Sequence, residues 1–238
     1  MTNGVIFYQG PSMIDGKPIV AIAVGLKQGS TNTKTGAMIQ TYILRADKAP
    51  TEAVRDGSDE SICGSCVHRG DGTGKQRSCY VTLIHGPQNV WRAFQNGRYP
   101  MRSWQSELFR DRMVRMGTYG DPAAVPIAYW RNMLKHAKGW TGYTHQWKNI
   151  HWRWRELVMA SADTVEEMAH AHVRGFRTFR VTPVGEGPLK GLEFNCPASH
   201  EAGQKLNCID CMACMGTSAP HKASVQIAAH GAGRNHVG

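Results

Sequence analysis

The chain has 238 residues, 41% hydrophobic and 19% charged, with a formal charge of +10 at pH 7. That length suits one domain of fair size with a small appendage, and no run of about eighteen apolar residues occurs, which excludes a membrane-spanning helix. The start MTNGVIFYQG has no basic segment ahead of an apolar core, so no secretory signal is expected and a cytoplasmic location follows.

Residues 1–60 read as a small antiparallel β appendage. VIFYQG and PIVAIAVGL flank a turn at Asp15-Gly16, and AMIQTYILRA follows the polar tip KQGSTNTKTG. From residue 79, within a second part taken as residues 61–238, the pattern becomes strands alternating with helices. The expected strands are CYVTLIHG (79–86), VRMGTYGDP (114–122), WTGYTHQW (140–147), LVMASAD (157–163), RTFRVTP (177–183) and SVQIAAHG (224–231). Asp121-Pro122 reads as the start of a helix through AYWRNMLKHAKG. Asp163 with Glu166 reads as a capping-box start for TVEEMAHAHVRG, which Gly175 stops. Such alternation predicts an α/β fold with a mainly parallel sheet, here an incomplete (β/α) TIM-like barrel of about six strands over residues 61–238.

The expected strands end on polar residues: His85-Gly86, Tyr119-Gly120-Asp121, Thr144-His145, Ser161 to Asp163, Thr182 and His230-Gly231. Ligands of parallel α/β folds bind at the carboxyl ends of strands, so His85, Asp121, His145, Asp163 and His230 are the candidate catalytic residues. Asp121 and Asp163 could equally serve only as helix caps. No Gly-x-Gly-x-x-Gly string follows the first expected strand, which argues against dinucleotide binding.

The seven cysteines fall in two groups. Cys208-x2-Cys211-x2-Cys214 has the spacing by which ferredoxins grip a cubane cluster, and Cys196-Pro197 supplies a remote fourth thiol. A [4Fe-4S] cluster is therefore the expected cofactor of the late group. Cys63-x2-Cys66 and Cys79 could hold a second cluster with one open corner, hold a zinc ion completed by His68, converge with the late group on one site, or bind no metal.

These strings together resemble a group of bacteriophage-encoded iron–sulfur proteins of poorly defined function. The resemblance rests on SICGSCVHRG with SCYVTLIHGP, GTYGDPAAVP, GYTHQW, LVMASAD, and the late NCPAS, NCIDCMACMG and IAAHG, spanning about residues 38–231. It implies a partial barrel akin to radical S-adenosylmethionine (SAM) enzymes, a cluster near the carboxyl ends of the strands, and life in the cytoplasm of an infected bacterium. It implicates Cys196, Cys208, Cys211 and Cys214 in cluster binding, and Cys63, Cys66 and Cys79 with them. The Cys-x3-Cys-x2-Cys string of radical SAM enzymes does not occur in this chain.

Two functions follow as expectations. One is a cluster-bearing redox or radical-type enzyme with a small-molecule or anionic ligand at the barrel mouth. The other is a metal-stapled module that binds nucleic acid through its basic surface, stacking bases on Trp130, Trp140, Trp147, Trp152 and Trp154.

Overall fold

The computed structural model describes residues 2–73, 75–199, 203 and 205–230. Gly231, read as part of the last strand end, lies outside them. Two five-stranded sheets make up the fold, one mixed and one all-parallel, with helices between the strands.

The mixed sheet runs β1 (Gly4–Pro11), β2 (Pro18–Val24), β3 (Ile39–Arg45), β4 (Met113–Tyr119) and β5 (Gly139–Thr141). The Asp15-Gly16 turn is where the sequence put it: Asp15 Oδ1 accepts the Lys17 N–H at 3.0 Å, and β1 and β2 pair antiparallel. Ile19 through Ala23 of β2 are fully buried, as expected of an unbroken apolar run covered on both faces. β3 pairs antiparallel with β2 on one side and parallel with β4 on the other. It is thus shared between the amino-terminal hairpin and the parallel arrangement.

β3 also corrects the reading of residues 79–86. That apolar run is no strand; it is an irregular segment leading into α3 (Gly86–Gln95). Its carbonyls at Cys79 and Val81 accept from the Arg77 guanidinium at 3.2 and 3.0 Å, not from a sheet neighbour. The first parallel strand is β3, followed by α1 (Pro50–Arg55) and α2 (Glu60–Cys63).

The parallel sheet has the order β6 (Tyr143–Thr144), β7 (Met159–Ala162), β8 (Thr178–Thr182), β10 (Ser224–Ala228), β9 (Glu193–Asn195). Only Gly142 separates β5 from β6, so one stretch of chain passes from the first sheet to the second. No closed barrel forms among the described residues. The long connection after β8 contributes β9, which pairs with the far side of β10. Arg180 of β8 reaches across β10 to Glu193 of β9 with two hydrogen bonds of 2.9 and 2.8 Å, both side chains buried.

Two helix starts differ from expectation. Asp121 caps a single 3-10 turn (Pro122–Ala124) by accepting the Ala123 N–H, and α4 (Ile127–Leu134) begins only after Pro126. At α5 (Val165–Val173) the cap is Thr164, whose Oγ1 accepts the Glu167 N–H at 3.2 Å, one residue later than the sequence suggested. The Asp163 carboxylate is thereby left for other partners.

Trp130, Trp147 and Trp154 lie in the apolar core, and Trp140 is half-buried with its indole N–H on the Leu157 carbonyl. Trp152 alone of these five is exposed, beside Arg153 and Arg155. The stacking surface expected of the tryptophans is therefore reduced to one ring. No helix of the described residues is long and apolar enough to cross a membrane.

Candidate metal and ligand site

The early cysteines lie on the connection that follows β3, the carboxyl end of the first parallel strand. Cys63 closes α2, and Gly64 then takes φ +57°, a conformation glycine adopts without strain. The Gln146 side chain grips this turn: its Nε2 donates to the Cys63 carbonyl at 3.1 Å, and its Oε1 accepts the Ser65 N–H and hydroxyl at 3.4 and 3.3 Å. The Arg69 guanidinium ties the same turn to Asp59 and to the Gly64 and Gly57 carbonyls. Cys79 is brought alongside by its N–H on the His68 carbonyl at 3.0 Å. Burial pushes the Cys63 thiol well above its usual range, and the neighbouring Cys66, Asp59 and Cys79 add to the shift. Cys79 is raised by burial as well.

Next to these thiols stand the ends of β4, β6 and β7. Asp121 is buried and accepts three hydrogen bonds: from Ala123 N, from the Thr144 hydroxyl at 2.7 Å, and from His145 N at 2.9 Å. Its burial raises its pKa, against those hydrogen bonds. The His145 Nε2 lies 3.9 Å from Cys66 Sγ and 3.6 Å from Asp163 Oδ2. His68 faces the other Asp163 oxygen at 3.5 Å. Burial opposes ionisation of Asp163, but the two imidazoles outweigh it and hold the carboxyl well below the usual range.

The late triplet Cys208 to Cys214 stands elsewhere than expected: it docks on the amino ends of strands. The Cys214 carbonyl accepts the Gly142 N–H ahead of β6, and Cys208 donates its N–H to Lys34 in the loop before β3. Arg177, just ahead of β8, donates to the Ala213 and Gly216 carbonyls at 2.7 and 2.9 Å and to the Ala223 carbonyl at 3.1 Å. Cys196, directly after β9, is fixed by its N–H on Gln226 O at 2.8 Å. Asn207 caps α6 (Cys208–Cys211), and Met212 ends it in the left-handed region. Cys196 and Cys214 are buried in an apolar cluster with Met159, Val225 and Ile227, and Cys208 and Cys211 pack against it. Burial pushes the Cys196 thiol up to about 11, and that of Cys214 higher still.

Both regions border one cavity of about 520 Å³. Cys63, Cys66 and Cys79 line one part of its wall, Cys196 and Cys208 another. Between them projects Arg115 from β4, where a bulge at Gly117 (φ +67°) shifts the register against β3. The Arg115 guanidinium bonds the Tyr80 hydroxyl, yet its Nε is buried with no hydrogen-bond partner, and no carboxylate pairs with it among the described residues. Tyr80 in turn stacks on His230 with ring centroids 5.4 Å apart.

Of the residues expected at the site, Asp121, His145 and His230 line the cavity and Asp163 stands behind His145. His85 does not: it is exposed at the start of α3, because the segment before it is not a strand. Sequence reasoning passed over Arg115, Gln146 and Arg177, polar residues inside or beside apolar runs. It also gave His68 to a zinc site with three cysteines, whereas His68 meets His145 and Asp163. That trio is the one group of potential ligands among the described residues whose donor atoms all lie within 4.8 Å of one another. All seven cysteines are free thiols. Thiolates on a single zinc at about 2.3 Å would stand about 3.8 Å apart, closer than any three cysteine sulfurs do here. No family model, no curated protein and no solved structure matches the chain, so the site is read from its own geometry.

Proposed function

We propose that this chain is an iron–sulfur protein built on an incomplete (β/α) barrel, with a redox or radical-type activity on an anionic small molecule. The observation that carries the reading is that Cys63, Cys66, Cys79, Cys196 and Cys208, all free, border one cavity from two sides. A cluster holds its thiolates further apart than one ion does, which suits sulfurs that are near one another yet not converged on a point. Cys196, Cys208, Cys211 and Cys214 would hold a [4Fe-4S] cluster; Cys63, Cys66 and Cys79 would hold a second one with an open corner. When bound, such clusters supply electrons one at a time.

The protein's own residues provide the rest. Buried thiols with raised pKa values resist ionisation until a cation joins them, so cluster binding would release protons and add stability. Arg115, a half-buried guanidinium on the cavity wall with a buried, unpartnered Nε and no carboxylate partner among the described residues, supports an anionic ligand in the cavity. The resemblance to phage-encoded proteins agrees with this reading and with a cytoplasmic location.

Anaerobic purification with metal and sulfide counts tests it. About four irons and four sulfides per chain, lost in Cys208→Ala and Cys211→Ala, are expected for the late set, and about eight if both sets are filled. A colourless protein that takes up zinc alone, also after anaerobic reconstitution, would sink the reading. The exposed Trp152 flanked by two arginines would then favour the nucleic-acid module, seen as salt-dependent DNA binding.

A further inference from the structure

We infer that His68, His145 and Asp163 form a site for one divalent first-row transition-metal ion, beside Cys66, whose Sγ lies 3.9 Å from His145 Nε2. The three come from different segments: the turn after Cys66, the end of β6 and the end of β7. Their donor atoms converge within 4.8 Å.

The separations speak for a shared ion over a direct pair. His68 Nε2 to Asp163 Oδ1 is 3.5 Å and His145 Nε2 to Asp163 Oδ2 is 3.6 Å. Both are too long for good hydrogen bonds. A tetrahedral ion with nitrogen and oxygen ligands at about 2.0–2.1 Å spaces its donors about 3.4 Å apart. Each imidazole nitrogen stands close to that edge from its own oxygen of Asp163, so the carboxylate can turn either oxygen, or both, to the ion.

Two atoms of the group are left without partners. His68 Nε2 and Asp163 Oδ1 are buried and make no hydrogen bond. Buried polar atoms are rarely left so, and each orphan calls for an explanation. One ion between them would satisfy both.

The surroundings prepare the ligands. His68 Nδ1 lies 2.7 Å from the Ser78 hydroxyl; as a donor to that oxygen it leaves the Nε2 lone pair for the metal. Asp121 fixes the backbone of His145, and the Asp163 N–H is held by Glu167 Oε2 at 2.9 Å. Two imidazoles and a carboxylate suit zinc, ferrous iron or cobalt. Three protein ligands leave a position free, and His68 and His145 both face the cavity. The site therefore takes an ion able to bind a ligand from the cavity.

The site stands whether or not the cysteines carry clusters. Cobalt(II) is the probe: the full chain is stripped with chelator under anaerobic conditions and titrated, reading the visible bands of the bound ion. One equivalent should bind and be displaced by zinc. Asp163→Asn and His68→Gln should weaken that binding at least tenfold, and Cys208→Ala should leave it unchanged, with circular dichroism confirming that each variant is folded. Cobalt bound only at thiols, with equal affinity in Asp163→Asn and His68→Gln, would overturn the site, as would no binding by the folded chain. A parent chain that takes up no iron or sulfide while cobalt binding stays intact would count against the cluster reading alone.

Discussion

Asp121 Oδ2 accepts the backbone N–H of His145 at 2.9 Å, so the end of β4 holds the end of β6 in place. The other oxygen, Oδ1, takes the Ala123 N–H and the Thr144 hydroxyl. A residue that reads as a helix cap therefore also sets the position of an imidazole that follows a strand of the other sheet. Asp121→Ala would leave these buried donors unpaired, and a loss of about 3 kcal/mol is expected in urea unfolding. Asp121→Asn, which keeps the shape and one acceptor, should lose less.

Gly64 offers a second test. A Cβ there would lie 2.4 Å from the Gln146 side chain, at a φ of +57°. Gly64→Ala should cost about 1–3 kcal/mol through backbone strain and displacement of Gln146. Cys63 and Cys66 should then react several-fold faster with a thiol reagent, since the turn that buries them would be loosened. Unchanged reactivity would show that Gln146 does not hold the turn.

Arg177 plays the matching part for the late cysteines. Its guanidinium is buried and holds carbonyls at Ala213, Gly216 and Ala223, with no carboxylate partner among the described residues. Arg177→Met should destabilise by about 3 kcal/mol and open residues 205–223 to protease. Arg177→Lys should fail to restore it, because one ammonium cannot serve three carbonyls in the plane of a fork.

The pair Arg45–Asp47 predicts a pH dependence. Two bonds of 2.9 and 2.7 Å from the buried guanidinium hold the Asp47 carboxyl below its usual range. A carboxyl with a depressed pKa in the folded state contributes stability above its unfolded pKa of about 4 and loses it as pH falls further. Urea midpoints of the parent should thus drop between about pH 5 and pH 3 more steeply than those of Asp47→Asn. Parallel curves would rule the pair out as a source of acid sensitivity.

Much of the fold can be read from turn chemistry. Gly120-Asp121-Pro122 marks the end of β4, and Thr144-His145 that of β6, because glycine and capping residues state where a strand must stop. The run 79–86 misleads because β-branched and apolar residues say only that a segment is half-buried; here it lies along the cavity, with Arg77 serving its carbonyls. β3 misleads in the other direction, since alternation does not tell whether the next neighbour runs parallel. The cysteine groups are visible as spacings along one stretch of chain. The trio of His68, His145 and Asp163 is not, because its members meet only when three connections fold together. Arg115 hides for a similar reason: one basic residue in a strand gains its meaning from what it does not pair with.

β10 is inserted between β8 and β9, although it is the last in sequence of the described strands. Until Ser224–Ala228 leaves the ribosome, β8 and β9 have no strand between them, and each offers an open row of backbone donors and acceptors. Such rows invite pairing with other chains. A chain broken off before residue 224 should therefore lose more than its last strand. It would bring two unsatisfied edges into solution, and aggregation during synthesis is the hazard that the final strand removes.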